Sequence, residues 1–221
     1  MVDFAVQRTN MVDSQIRPSD VTDRRIPRAM LEVPREVFVP AAARATAYLD
    51  DQIRVTGSPG SARFLLAPRV LAKMLQHLEV GETDTVLDIG GATGYSAAIL
   101  SKLAKSVIAL ECEAALAEHA AATLKSIGVL GVTVHTGPLA VGYPTRAPYD
   151  AILVNGALPD VPATLLDQLK DGGRLVAVMT TNGVGRATLW RRYGTQFDHR
   201  TLFDAAGAPL PGFEKPAAFV L

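Results

Sequence analysis

The residues best spaced to do chemistry lie between Val86 and Glu111. A short apolar run ends in Asp88, turns through Gly90, Gly91, Thr93 and Gly94, and passes into a pattern that reads as helix. Glycines let the backbone approach a ligand closely, and the first N–H groups of a helix have no partner within the helix. A strand–glycine loop–helix opening of this kind builds a nucleotide crevice. Glu111 stands 23 residues after Asp88, at the end of the next apolar run. A carboxylate there can accept from both hydroxyls of a ribose.

Two nucleotide chemistries compete for this loop. A dinucleotide fingerprint requires G-x-G-x-x-G, but from Gly90 the later positions hold Ala92 and Tyr95, so that pattern fails twice. The alternative places an acid two residues before the first glycine and another glycine four beyond it, which Asp88, Gly90 and Gly94 satisfy. That arrangement suits S-adenosylmethionine: the acid attracts the ammonium, directly or through water, while loop N–H groups meet the carboxylate, and no pyrophosphate has to be cradled. A glycine-rich turn and strand-end acids that merely connect elements of a doubly wound sheet are the competing account.

Other reactive side chains are less well placed. His77, His119, His135 and His199 are scattered, without the spacing of a metal site or a triad. Cys112 follows Glu111 and could touch an adenine edge or fill a small apolar site. As the only cysteine it excludes an internal disulfide and a multi-cysteine metal centre. Asn155 and Gly156 follow an apolar run and fall beside the crevice expected where strand order reverses, where an amide could orient a substrate. Asp150, at the start of that run, reads as structural.

The elements that must hold these residues alternate. Strands are expected at Thr85–Ile89, Ser106–Leu110, Val132–His135, Tyr149–Val154 and Arg174–Met179, with helices at Tyr95–Ala104, Glu113–Ile127 and from Pro162 to Leu169. Nearly unbroken apolar strands separated by helices imply a doubly wound α/β fold with a mostly parallel sheet covered on both faces. After Thr180, ATLWRRYG and the terminal AAFVL read as an antiparallel hairpin closing the sheet. Before the first strand, residues 1 to about 50 read as a helical cap: Phe4–Ile16, then a second helix with Thr22 as N-cap and Pro27 in its first turn. Residues 50–66, with TGSPGSA, read as loop. A helix follows from Pro68 through Val70, Leu71, Met74, Leu75 and Leu78, closed by Gly81. The expected division is a cap and substrate loop over 1–66 and a nucleotide-binding domain over 67–221, packed as one unit.

Composition sets bounds. Lys+Arg and Asp+Glu are both 22, so no net field draws the chain to nucleic acid or to an anionic membrane, and neither is expected as a partner. The N-terminus lacks the basic and apolar regions of a signal peptide, and no run approaches ~18 apolar residues. A cytoplasmic protein is the expectation.

Longer stretches resemble the protein-L-isoaspartate O-methyltransferase family. MVDSQIRPSDVTDRRIPRAMLEVPREVFVP (Met11 to Pro40) resembles its N-terminal cap, AYLDDQI its AY-x-D stretch, and VLDIGGATGY its adenosylmethionine loop, with Ala92 in place of a glycine. APYDAILVNGA followed by VPATLLDQLKDGGRLV is similar to its central strand, helix and next strand. The resemblance implies a Rossmann-like class I methyltransferase. Its cofactor would be S-adenosylmethionine, held by Asp88, Gly90, Gly91, Thr93, Gly94, Glu111, Cys112, Gly137, Pro138 and Leu139, with no metal. The implied role is protein repair, in which the α-carboxylate of isoaspartyl residues in proteins or peptides, or another carboxylate, accepts the methyl group.

Two departures fall on functional positions. Where the family has a Ser or Thr that helps hold the reacting carboxylate, this chain reads ARFLLAP, with Leu66 in the hydroxyl's place and Arg63 in the glutamine's. Where the family has GDG, whose Asp accepts from the adenine amino group, this chain has Gly137, Pro138 and Leu139. Arg63 could clamp a carboxylate through two N–H groups, or Arg63 and Arg69 could be surface charges flanking a loop. A second reading therefore stands beside the enzyme: a non-catalytic relative that binds a nucleotide or a protein partner.

Overall fold

The structure is a computed structural model that describes residues 3–55 and 62–214. A seven-stranded sheet in the order β5-β4-β3-β6-β7-β8-β9 forms its centre. The strands are β3 (Thr85–Ile89), β4 (Ser106–Glu111), β5 (Val132–Thr136), β6 (Tyr149–Leu158), β7 (Leu169–Thr181), β8 (Val184–Tyr193) and β9 (Gln196–Asp204). β5 to β7 are parallel, and β8 and β9 add in antiparallel fashion at one edge. A pair of two-residue strands, β1 (Ile53–Arg54) and β2 (Phe64–Leu65), lies outside this sheet. The order of β3 relative to β4 and β6 makes their carboxyl ends the point where the winding reverses, which is where open α/β sheets bind ligands.

Side chains along each strand alternate between two cores. Val86, Val107, Ala109, Ala151, Leu153, Val176 and Val178 pack with the N-terminal segments, α3 (Pro68–Leu78) and α4 (Tyr95–Leu100). Leu87, Ile89, Ile108, Leu110, Ile152, Val154 and Leu175 face the other way, toward Leu139, Leu158, Leu165, Leu210 and Phe213. Both faces are covered, which explains why the central strands are apolar over most of their length.

The N-terminal helix α1 (Phe4–Met11) starts where the Asp3 carboxylate accepts from the Ala5 and Val6 N–H groups, and runs on as a π-helical turn to Ile16. The second helix, α2 (Arg25–Glu32), holds Pro27 in its first turn as expected. Thr22 does not cap it. The Asp23 carboxylate accepts from Arg25 N, and Thr22 N donates to Gln76. α3 ends at Glu79 in the left-handed conformation (φ 52°), two residues before Gly81. That turn is held by Arg174, which donates to the carbonyls of Leu78 and Glu79.

Two further expectations are corrected. The helix after β6 is a single turn, α6 (Ala163–Leu166), because the chain from Leu169 onward already belongs to β7. β8 does form a closing antiparallel pair, but with Gln196–Asp204; the AAFVL run lies outside the described residues. The loop TGSPGSA likewise falls almost wholly outside them, only its last residue, Ala62, being described. Among the described residues no helix is long and apolar enough to cross a membrane.

Candidate active site

Sheet register sets the site. Ile89 of β3 pairs with Leu110 of β4 and with Val154 of β6, and Glu111 pairs with Thr136 of β5. One step further along the carboxyl edge this places Gly90, Glu111 and Asn155 in one row, with Gly137 beside Glu111, whose carbonyl accepts from Gly137 N at 3.0 Å. The register between β6 and β7 slips between Leu153 and Ala157, and Asn155 and Gly156 occupy that irregular stretch. Bulges of this kind re-aim side chains at strand ends.

Asn155 is aimed at Asp88. Its amide Nδ2 donates to Asp88 Oδ1 at 2.7 Å and to the Ile89 carbonyl at 3.1 Å, while Ser96 donates to Asp88 Oδ2 at 2.7 Å. Asp88 is wholly buried, and burial pushes its carboxyl up from 3.8 to about 6, against the pull of those two hydrogen bonds and with a small contribution from the Glu111 charge. The sequence predicts that Asn155 orients substrate. Its amide donor instead fixes Asp88 and ties β6 to β3 across the crevice. Gly91 passes so close that an added Cβ would lie 2.7 Å from both Asp88 Oδ2 and Ser96 Oγ, so this part of the loop admits no side chain.

Glu111 is also buried, and both its oxygens are engaged. Oε1 accepts from Cys112 N at 2.8 Å and from Glu113 N at 3.4 Å, with the Cys112 thiol at 3.3 Å. Oε2 accepts from Ala92 N at 3.0 Å and from Arg63 Nη2 at 3.0 Å. The same Arg63 nitrogen donates to the Gly90 carbonyl at 2.9 Å, and Nη1 reaches Cys112 Sγ at 3.5 Å. The two ion-paired side chains are 1% and 3% exposed. Arg63 is therefore not a surface charge: its donors are committed to Glu111, the Gly90 carbonyl and Cys112. It sits on the groups that the sequence assigns to the nucleoside. Arg69 does lie at the surface, paired with Asp50 at 2.8 Å. Burial, and then the neighbouring Glu111 charge, push the Cys112 thiol up to about 11, so it is a neutral packing group at ordinary pH.

Several predicted contacts move. Ala92, where the family has glycine, holds the left-handed conformation at φ 52°, and its N–H is the loop donor that meets Glu111. The Thr93 hydroxyl donates to the Phe38 carbonyl at 2.6 Å, which commits that side chain to fastening the loop to the N-terminal segment. Leu66 is a core residue, 4% exposed. Its carbonyl accepts from the buried Arg35, whose Nε donates to the Ala47 carbonyl and whose guanidinium stacks on Tyr95 at 4.7 Å. Those contacts explain the Arg of VPRE as an internal brace. Leu139 is buried against the second core, with Pro138 leading its short helical turn. Asp150 accepts from Thr85 N and pairs with Lys170, a structural role as read.

A segment not singled out in the sequence closes the row. After β9, Ala208 and Leu210 bond to Ala157 (Ala157 N to the Ala208 carbonyl, 2.8 Å; Leu210 N to the Ala157 carbonyl, 3.2 Å), and Gln52 accepts from Ala208 N. Leu210 covers Gly90 and Gly156. An added Cβ on Gly156 would stand 2.5 Å from its side chain. Nothing periodic in AAGAPLPG announces this strap. Ser96, the partner of Asp88, was also missed, its only signal being a small polar residue in an otherwise apolar helix start.

The donor set fits an adenosyl nucleoside: a strand-end carboxylate, a glycine loop with backbone N–H groups, and an apolar Gly137–Leu139 flank. The free space is small. The cavity between Gly91, Tyr95, Ser96, Asn155 and Leu66 is about 10 Å3, room for roughly one water. Arg63 and Leu210 stand in the remainder, so the residues suit the ligand once those two withdraw. A larger hollow of about 540 Å3 lies on the β7–β9 face, bordered by Met179, Trp190 and His199, apart from these groups.

Comparison with known proteins supplies independent findings. The sequence model of the family described as protein-L-isoaspartate(D-aspartate) O-methyltransferase matches residues 6–203. The protein-L-isoaspartate O-methyltransferase of Roseiflexus castenholzii is 40% identical over 211 residues, 96% of this chain and 94% of that one. The protein of the same name from Methanoculleus marisnigri is 41% identical over 171 residues, covering 77% and 76%. A solved protein-L-isoaspartate O-methyltransferase superimposes with a TM-score of 0.83 over 93% of this chain and 67% of its own, at 24% identity. A Plasmodium falciparum structure assigned the same activity, solved with S-adenosyl-L-homocysteine, gives 0.78 over 96% of this chain and all of its own, at 18% identity. At those identities the two structures speak for the fold.

Proposed function

Since this chain belongs to the protein-L-isoaspartate(D-aspartate) O-methyltransferase family, we propose that it transfers a methyl group from S-adenosylmethionine to the α-carboxylate of isoaspartyl residues in proteins or peptides. The observation that carries this is the retained row of Gly90, Glu111 and Gly137 at the switch point, on a chain that matches the family along nearly its whole length. The non-catalytic reading has no support from relatives of this kind.

When bound, S-adenosylmethionine supplies a methyl group on a sulfonium, whose departure leaves a neutral thioether. An ionised carboxylate needs no base, because its ordinary value lies near 4. The protein's work is then positioning in a dry pocket. Glu111 would accept from the ribose hydroxyls, and the Gly90–Gly94 backbone would line the methionine end. Cys112 and Gly137–Leu139 would flank the adenine without the usual side-chain acceptor. Asp88, held by Asn155 and Ser96, would set the loop's shape and add negative character beneath it. Leu66 and the core around it would exclude water from the reacting oxygen but offer it no hydrogen bond.

The test is methyl transfer from labelled S-adenosylmethionine to an isoaspartyl peptide, with the normal aspartyl peptide as control. Label on the isoaspartyl peptide alone is expected. Cofactor binding without transfer would overturn the isoaspartyl assignment.

A further inference from the structure

Arg63 immediately precedes β2. Its carbonyl accepts from Val55 N at 2.8 Å, and Leu65 two residues on pairs with Ile53. The backbone is thus fixed by the β1–β2 pair, while the side chain is driven inward to 1% exposure. A guanidinium carries five N–H donors in one plane, and this one serves Glu111 Oε2, the Gly90 carbonyl and Cys112 Sγ together. A ribose diol would need the same carboxylate. Glu111 cannot serve both, because its other acceptor sites are taken by the Ala92, Cys112 and Glu113 N–H groups, and Leu210 closes the space over Gly90.

We infer that Arg63 is an internal lock on the nucleoside subsite: it holds Glu111 through Oε2 and must withdraw before a nucleoside diol can take that carboxylate. The inference rests on the reading of this cleft as an adenosyl site. Its consequence is thermodynamic. Apparent affinity equals the intrinsic affinity scaled by the fraction of molecules with Arg63 withdrawn. Separating a buried ion pair is unfavourable, so that fraction is small, and opening precedes binding.

The test compares S-adenosylhomocysteine binding to the wild-type chain, Arg63→Met and Arg63→Gln, by calorimetric titration and by surface plasmon resonance. Both variants are expected to bind at least tenfold more tightly, with a faster association rate. If Arg63→Met does not fold, Arg63→Gln carries the comparison, since it keeps a neutral donor for Glu111. Binding by the variants alone supports the lock most strongly. Wild-type binding that is equal to or tighter than that of the variants overturns the lock and leaves the methyltransferase reading standing. Failure of all three to bind at millimolar ligand overturns both.

Discussion

Asp88→Asn should stabilise this protein, by an amount that depends on pH in a defined way. Asp88 is fully buried, and its carboxyl is pushed up from 3.8 to about 6. A carboxyl raised on folding contributes stability that is complete below its unfolded value and is lost as pH rises through its folded value. The rise corresponds to about 3 kcal/mol of disfavoured ionisation above pH 6. Asparagine has nearly the same shape, can accept from Asn155 through its oxygen, and can donate to Ser96 through its amide, so the local hydrogen bonds survive. Urea denaturation of both proteins from pH 4 to 8 isolates the effect as a difference. The stability of the variant relative to wild type should climb between pH 4 and 6 and level off about 3 kcal/mol higher. For a chain of this size that is roughly 6–12 °C in melting temperature. A difference that stays constant with pH, or that falls as pH rises, would refute the burial argument.

Other substitutions follow from the same geometry. Glu111→Gln should cost about 3–5 kcal/mol by leaving the Arg63 charge buried without its partner, and adding Arg63→Met should recover much of it; additive losses in that double-mutant cycle would mean the pair is not coupled. Ala92→Gly should raise the melting temperature, by up to about 1 kcal/mol of stability, since a left-handed alanine costs roughly 1–2 kcal/mol and glycine returns part of that in chain entropy. A clear loss of stability there would show that the methyl packs usefully. Leu66→Ser, which restores the family's hydroxyl, should destabilise by about 3 kcal/mol through the cavity it opens, and an unchanged denaturation midpoint would place Leu66 outside the core.

What the sequence disclosed is what local pattern encodes. Asp88, the glycine loop and Glu111 sit at the ends of apolar runs whose boundaries are written in composition, and β3 was placed to the residue. The antiparallel partner of β8 was misplaced because β9 is an edge strand. QFDHRTLFD carries exposed Asp198, His199 and Arg200, and a strand with a solvated face shows less apolar signal than the AAFVL run beyond it. The left-handed end of α3 at Glu79 depends on Arg174, 95 residues away, so no local rule could have moved it from Gly81. The role of Arg63 was hidden for the same reason. Its partner is 48 residues distant, and an arginine beside a loop resembles a surface charge until the fold brings a carboxylate to it.

The Ala208–Leu210 strap is joined to Ala157 by two backbone bonds and to Gln52 by a third, after every strand of the sheet has been laid down. Those bonds are few and span long stretches of chain, with Leu210 as their buried anchor on the second core. They are the kind that open as a unit well before global unfolding. In hydrogen-exchange terms, the amides of Ala157, Ala208 and Leu210 should exchange together and faster than those of β3 and β6, so that this one protection group clocks the opening of the crevice.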